Sequence, residues 1–142
     1  MSIPIIVSPQ VAEFLANRLL GRLATAAPDG QPHVVPVWFL WEEGAAWISS
    51  YRSTRKAIDI QANNKCALVV DIENPREGLT AVVLEGRAEL ITIPPTLVRE
   101  RIERIYTKYL GVDGLNEIDP QTWLNSPENV LIKLNPTRVK AW

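Results

Sequence analysis

The sequence predicts a mainly β protein, namely a small antiparallel β-barrel with helical covers. About six segments are rich in β-branched and aromatic residues, turn residues separate them, and two to four further segments show helical spacing. The chain has 142 residues, of which 46% are hydrophobic and 22% charged, as is usual for a globular protein. We therefore expect one domain that spans residues 1–142 and buries a real core.

The predicted strands are bounded by turn signals such as Pro28-Asp29-Gly30 and Glu42-Glu43-Gly44. They cover residues 22–27, 32–41, 45–50, 66–72, 79–92, 130–134 and 138–142. Gly86 lies in the middle of a long strand region and indicates a bulge or bend there. A loop is expected at residues 75–78.

Helices are predicted where apolar residues recur at helical spacing. Ser8 followed by Pro9 is a hydroxyl cap with proline in the first helical position, and Gly21 is expected to end that helix. The other predicted helices cover residues 54–64, residues 94–109 and a short turn around Trp123.

The strand at residues 32–41, PHVVPVWFLW, is apolar on both of its alternating faces. One face carries Val35, Val37, Phe39 and Trp41, and the other carries Val34, Trp38 and Leu40. Such a strand indicates a barrel wall with a helix, a second subunit or a ligand outside it. The tryptophans of this region suit either core and interface packing or a wall beside a planar ligand. Pro36 favours an edge or a bulge, because proline interrupts ladder bonding.

The stretch at residues 49–56 has the chemistry of an anion site. Ser49 and Ser50 end a predicted strand, and the residues Ser53-Thr54-Arg55-Lys56 then open a helix. Hydroxyl donors, two cations and the free N–H groups of a helix N-terminus together suit a phosphate. Cations are disfavoured at this end of a helix, so two in a row call for a reason, and an anionic ligand is one. An ordinary capped helix with two solvated cations in its first turn is the open alternative.

Several classes of function are not expected. The net charge of −1 and a pI of about 5.9 argue against a nucleic-acid partner. Cys66 is the only cysteine and His33 the only histidine, so we expect no disulfide within the chain, no metal site and no nucleophilic triad. Neither a signal peptide nor a membrane-spanning run is apparent, which predicts a cytoplasmic protein without a membrane partner.

The motifs occur in a characteristic order along almost the whole chain. A PDG turn precedes PHVVPVWF, a return strand, STRK at the start of a helix, and then CALVVD; VVLEGRAEL and VLIKLNPTRVKAW follow. This order resembles the flavin-binding split-barrel family related to pyridoxamine 5′-phosphate oxidase. The resemblance implies a six-stranded antiparallel split β-barrel of the FMN-binding type that works as a homodimer. It places FMN, or in some branches the deazaflavin coenzyme F-420, in a groove at the dimer interface.

The resemblance also implies which residues bind the cofactor. Arg55 and Lys56 match the pair that holds the cofactor phosphate, hydroxyl residues lie nearby, and residues 35–38 run beside the ring system. The complete predicted set is Val35, Pro36, Val37, Trp38, Ser49, Ser50, Thr54, Arg55, Lys56 and Gln61. No catalytic residue is assigned, because the redox chemistry belongs to the cofactor.

The function implied is an FMN-dependent oxidoreductase that transfers a hydride to or from a small organic substrate. An F-420-dependent reductase is the alternative, and the long acidic tail of F-420 would favour extra cations such as Arg52 and Lys65. From another class, a non-catalytic flavin or haem binding or sensor protein remains open, as does a cofactorless interaction protein. The C-terminal segment that grips pyridoxal phosphate in the oxidase is not recognisable, so oxidation of vitamin B6 is not expected.

Overall fold

Seven antiparallel strands form one curled sheet in the computed structural model, which describes residues 5–73 and 77–142. The strands are β1 (Gly21–Ala26), β2 (Pro32–Val37), β3 (Phe39–Glu42), β4 (Ala45–Tyr51), β5 (Lys65–Asp71), β6 (Ala81–Ile91) and β7 (Asn129–Ala141). The helices are α1 (Pro9–Ala16), α2 (Arg55–Ala62), α3 (Pro95–Leu115) and α4 (Ile118–Leu124). The strand order β2-β1-β5-β6-β7-β4-β3 confirms the predicted antiparallel split barrel, with seven strands instead of six.

The segment predicted as one strand, residues 32–41, divides at Trp38 into two strands. Strand β2 pairs with β1, so that Val37 lies opposite Gly21, whereas β3 pairs with β4 at the other edge of the sheet. Glu43 and Gly44 both have positive φ (55° and 70°), as the two-residue turn of a tight hairpin requires. This turn fixes the register of β3 on β4. Of the predicted strand 32–41, only the β3 half therefore forms the predicted hairpin with β4.

The two faces of residues 32–41 behave as their alternation predicts. Val35, Val37, Phe39 and Trp41 pack in or against the cluster inside the barrel. Trp38 and Leu40 pack instead against a second cluster, which lies between the sheet and helices α3 and α4. Val34 is 65% exposed on the edge strand β2. The barrel wall is therefore covered from outside by α3 beyond the division at Trp38.

The predicted bulge at Gly86 is confirmed by a register shift between Glu85 and Gly86. A Cβ atom at Gly86 would overlap the backbone carbonyl of Asn135, so a glycine is needed for this close approach. The shift lets β6 follow β7 through Pro136, and the two closing strands predicted at residues 130–134 and 138–142 are one continuous strand.

The helices begin where they were predicted but differ in length. Ser8 caps α1 as expected, with its Oγ accepting a hydrogen bond from the Val11 N–H at 3.2 Å. This helix ends at Ala16, because Gly21 already belongs to β1. Helix α3 runs beyond Tyr109 and bends at Gly111, where φ is 75°. Residues 75 and 76 of the predicted loop lie outside the described residues. Among the described residues, no helix is long and apolar enough to cross a membrane.

Candidate functional site

A pocket of about 480 Å³ opens between the ends of β2 and β4 and the helices α3 and α4. Its lining contains most of the residues predicted to bind a cofactor: Pro36, Val37, Trp38, Ser49, Ser50, Thr54 and Lys56. Four more lining residues were not predicted: Leu20, Tyr51, Tyr106 and Trp123. The structure therefore brings the two separate predicted groups, residues 36–38 and 49–56, into one pocket.

Three predicted residues do not line this pocket. Val35 lies further back on β2 and packs against the cluster inside the barrel. Gln61 is exposed near the end of α2. Arg55 is turned towards Asp59, one helical turn further along α2, and forms an ion pair with it.

One end of the pocket is polar and is built by the turn from β4 into α2. The hydroxyl oxygens of Ser50 and Thr54 lie 2.9 Å apart, and both hydroxyls also bond to the Tyr51 carbonyl. Thr54 is the N-cap of α2, yet its side chain does not bond to the helix, so the first N–H groups of α2 remain without a side-chain cap. This end offers the uncapped backbone N–H groups to an anion, and the two hydroxyls can join them by rotating away from the Tyr51 carbonyl.

Lys56 adds a cation to the polar end. It lies in the first turn of α2 and lines the pocket, and no carboxylate among the described residues is close enough to form an ion pair with it. Burial lowers its pKa, because a charged ammonium is less well solvated there than in water. An anion bound in the pocket would compensate this lost solvation.

Arg55 neutralises a buried carboxylate. The side chain of Asp59 is 1% exposed, and its Oδ2 accepts a hydrogen bond from the Thr25 hydroxyl at 2.9 Å. Its Oδ1 lies 3.0 Å from Nε and 2.9 Å from an Nη of Arg55. Neighbouring residues of a helix point about 100° apart, so Arg55 and Lys56 face different surroundings.

The other end of the pocket is aromatic. The ring of Tyr106 stands edge-on to Trp38, with centroids 5.9 Å apart, and edge-on to Trp123, with centroids 6.1 Å apart. Leu20, from the segment before β1, completes this apolar end. The only sequence signal for Tyr106 was its place on a helix face that also carries Ile102, and nothing distinguished it from a core residue.

Two further residues of α3 hold the corner at Trp38 in place. The Tyr109 ring stacks on Trp38 with a 5.1 Å centroid separation, while its hydroxyl donates to the Leu19 carbonyl and accepts from the Phe39 N–H. The Lys108 ammonium donates to the carbonyls of Leu15 and Phe39 at 3.1 and 3.0 Å. Burial lowers the pKa of Lys108 to about 8.

His33 lies on β2 and does not line the pocket. Its Nδ1 is buried without a hydrogen-bond partner among the described residues. The structure thus separates the single histidine from the residues predicted to bind a cofactor.

Comparison with solved structures shows the same fold elsewhere. The conserved hypothetical protein Rv2991 from Mycobacterium tuberculosis superposes with a TM-score of 0.78 at 23% identity, over 100% of this chain and 88% of that one. An F420 reductase gives a TM-score of 0.73 at 24% identity, over 95% and 98% of the two chains. The haem storage protein HutZ from Vibrio cholerae also gives 0.73, at 15% identity, over 96% and 94%.

The sequence comparisons are more specific. A 5a,11a-dehydrotetracycline/5a,11a-dehydrooxytetracycline reductase from Streptomyces rimosus is 36% identical over 94 residues, which make up 62% of this chain and 64% of that relative's length. The family model described as pyridoxamine 5′-phosphate oxidase matches residues 7–142. This match covers nearly the whole chain, and the protein belongs to the pyridoxamine 5′-phosphate oxidase family.

Proposed function

We propose that the protein is a flavin-dependent oxidoreductase that binds FMN and transfers a hydride to or from a small organic substrate. One observation carries the proposal: a single pocket joins an anion-binding end at Ser50, Thr54 and Lys56 to an apolar groove at residues 36–38. FMN needs both parts, since it has a phosphate at one end and a flat ring system at the other. The sequence similarity to a reductase supports a redox reaction.

The residues present fit such a cofactor. The hydroxyls of Ser50 and Thr54, the ammonium of Lys56 and the uncapped N–H groups of α2 would hold the phosphate. Pro36, Val37 and Trp38 would flank the ring and exclude water from one of its faces. When bound, the cofactor supplies the hydride chemistry, and the protein contributes binding and orientation.

The deazaflavin F-420 is the second candidate, favoured by the F420 reductase among the similar folds. It shares the phosphate and the flat ring with FMN but carries an acidic tail. Arg52 and Lys65 are exposed cations that would meet this tail. A direct comparison of the two affinities decides between them.

We also propose that the protein works as a homodimer with the cofactor at the interface. Val34 is 65% exposed and Leu20 47% exposed, and Pro36 is exposed on the same edge strand as Val34. A second copy placed on this edge would cover apolar side chains at the open side of the pocket. Sedimentation equilibrium tests the proposal, and a monomer at micromolar concentration in the presence of cofactor would contradict it.

Cofactor titration tests the proposed function. FMN and F-420 are titrated separately into the wild type, Lys56→Ala and Lys140→Ala, with cofactor fluorescence as the readout. Loss of a charge-assisted hydrogen bond predicts about 10- to 100-fold weaker binding for Lys56→Ala. Lys140 is exposed on β7, and its removal controls for the loss of one positive charge.

The outcomes have separate meanings. If the wild type binds neither cofactor, the proposed function is wrong. If Lys56→Ala binds as tightly as the wild type, the phosphate lies elsewhere.

Turnover separates an enzyme from a binding or sensor protein. The bound cofactor is reduced with an external donor, and its reoxidation by candidate substrates is followed in the steady state. A haem protein would instead give a Soret band on haem addition that disappears in His33→Ala.

A further inference from the structure

A second cavity, of about 620 Å³, lies beside the bulge in β6 and shares no lining residue with the pocket described above. We call it the bulge cavity. Its lining includes residues 87–89 of β6, residues 135–137 and Lys133 of β7, and the hairpin turn at Glu43 and Gly44. The volume is in the range of small-molecule sites in proteins. The proposed oxidoreductase function makes no use of this cavity.

The register of β6 on β7 brings two cations to one face of the sheet. Arg87 lies opposite Asn135, and Glu89 lies opposite Lys133. Residues two apart on a strand point to the same face, so all four side chains share it. Arg87 and Lys133 are diagonal neighbours, a spacing of about 7–8 Å that long side chains can bridge. Their charged ends can therefore meet on one anion.

Arg87 lacks a compensating charge on either neighbouring strand. Strand β5 places Lys65 directly opposite Arg87, and β7 places the neutral Asn135 there. Like charges directly opposite each other destabilise a sheet. In the part of the chain that the structure describes, no carboxylate lies within ion-pair distance of Arg87. An anion in the bulge cavity would supply the missing charge.

Lys133 is held at the cavity by an aromatic ring. Its cross-strand neighbours are Trp47 on β4 and Glu89 on β6, and its Nζ lies 4.9 Å from the ring centroid of the buried Trp47. The ring attracts the ammonium without using its hydrogen-bond donors. Over residues 5–73 and 77–142, no carboxylate forms an ion pair with Lys133. Its N–H donors are therefore available to a ligand.

The charges of the lining match a ligand with one negative charge. The lining also contains Glu43 and Glu89, but Glu43 Oε1 lies 3.0 Å from an Nη of the buried Arg101, which compensates it. Arg87 and Lys133 then face Glu89 alone, which leaves an excess of one positive charge. A carboxylate carries one negative charge, whereas a phosphate monoester carries about 1.5 to 2 at neutral pH. The match favours a carboxylate over a phosphate.

The remainder of the lining suits a short aliphatic chain. Ile5, Ala88 and Pro136 contribute apolar surface, and Asn64 and Thr137 add an amide and a hydroxyl. Burial of aliphatic carbon against such surface favours binding. A cavity that combines two cations with this surface fits an organic acid better than a bare inorganic anion.

We propose that the bulge cavity binds small monocarboxylic acids. The carboxylate lies between the guanidinium of Arg87 and the ammonium of Lys133, and the aliphatic chain lies against Ile5, Ala88 and Pro136.

The test compares isovalerate with isovaleramide, which has nearly the same shape but no charge, and with inorganic phosphate. Each compound is titrated into the isotope-labelled full chain, with and without FMN, and backbone amide shifts are followed by NMR. We expect isovalerate to bind about tenfold more tightly than isovaleramide, as for the gain of a charge-assisted hydrogen bond. The shifts should centre on residues 87–89 and 133–137 and persist when FMN is present.

Three variants separate the two cations from general charge. Arg87→Gln and Lys133→Gln should each weaken isovalerate binding about 5- to 10-fold and isovaleramide binding less than about twofold. Arg138→Gln removes an exposed arginine of β7 that does not line the cavity, and it should leave both affinities unchanged. Arg87 is exposed, so its variant should melt like the wild type even if the loss of the Lys133–Trp47 contact destabilises the other.

Four results would overturn the proposal. They are no detectable binding of isovalerate, tighter binding of phosphate than of isovalerate, equal effects of Arg87→Gln and Arg138→Gln, and shifts around residues 50–56 that FMN abolishes. The last result would place the acid in the other pocket.

FMN titration of Arg87→Gln keeps this proposal apart from the proposed function. We expect an unchanged FMN affinity, because the two cavities share no residue. An equal loss of FMN and isovalerate affinity would assign Arg87 to the cofactor site and overturn the separate cavity. If the wild type binds no FMN but still prefers isovalerate through Arg87, the proposed function is wrong and the bulge cavity stands.

Discussion

The two ends of the pocket are built in opposite ways. The polar end comes from one continuous stretch, residues 49–56, in which a strand turns directly into a helix. The aromatic end combines Trp38, Tyr106 and Trp123, which belong to three distant parts of the chain. The first end depends on local backbone geometry, and the second depends on how α3 and α4 pack on the sheet. We therefore expect substitutions at the aromatic end to affect stability most where the ring also anchors a helix.

Trp38→Ala is the strongest test of this difference. It removes the stacking with Tyr109 and the packing against the outer cluster, so we expect the free energy of unfolding to fall by about 3 kcal/mol. Trp123→Ala, at the exposed rim, should cost about 1 kcal/mol or less. Urea denaturation measures both variants. If both variants lost the same free energy of unfolding, Trp123 would stabilise the fold as much as Trp38 does.

Arg55→Ala tests whether a residue beside the polar end also stabilises the fold. It removes the cation that faces the buried Asp59, so we expect a stability loss of about 1–3 kcal/mol. In an Asp59→Asn background the same change should cost less than about 0.5 kcal/mol, because no buried charge is left behind. Arg52→Ala, which removes an exposed arginine nearby, is the matched control.

The same double-mutant cycle distinguishes structure from phosphate binding at Arg55. If Arg55→Ala still weakens FMN binding in the Asp59→Asn background, Arg55 contacts the phosphate as the family resemblance implies. If Arg55→Ala weakens FMN binding only when Asp59 is intact, the loss of affinity results from a disturbed fold around the unpaired carboxylate.

Lys108 lies behind the aromatic end of the pocket. We expect it to cause a smaller change in stability, which depends on pH. Its pKa is lowered to about 8 in the folded protein, against about 10.4 when unfolded. Between these values the unfolded chain binds more protons, so stability rises with pH from about 8 to about 10. With solvent screening this rise stays below about 1 kcal/mol, and it should vanish in Lys108→Met. A thermal melting series across this range measures it, and an unchanged slope in the variant would contradict the assignment to Lys108.

The contrast between the two ends also explains what the sequence could predict. Strand alternation predicted that Val37 and Phe39 share one face and that Leu40 lies on the other, because successive side chains of a strand point to opposite faces. Gly86 indicated its bulge for an equally local reason. Such features are encoded by neighbouring residues.

Features that depend on tertiary packing were not predicted. The division of the strand at Trp38 follows from which edge each half pairs with, and nothing in PHVVPVWFLW states this. The pairing of Arg55 with Asp59 could not be separated from phosphate binding, since both place a cation at the start of a helix. Tyr106 and Trp123 resembled ordinary core residues until α3 and α4 brought them to one pocket.

The division at Trp38 also has a mechanical consequence. Strands β2 and β3 are the two outermost strands of the sheet, yet a single residue joins them. Two virtual bonds of 3.8 Å connect their facing ends, so these ends can part by at most about 7 Å. At this point a covalent tether limits how far the barrel can open, whatever the side chains around it do. The length of this one-residue connection therefore sets the maximum width to which the pocket can open beside Trp38.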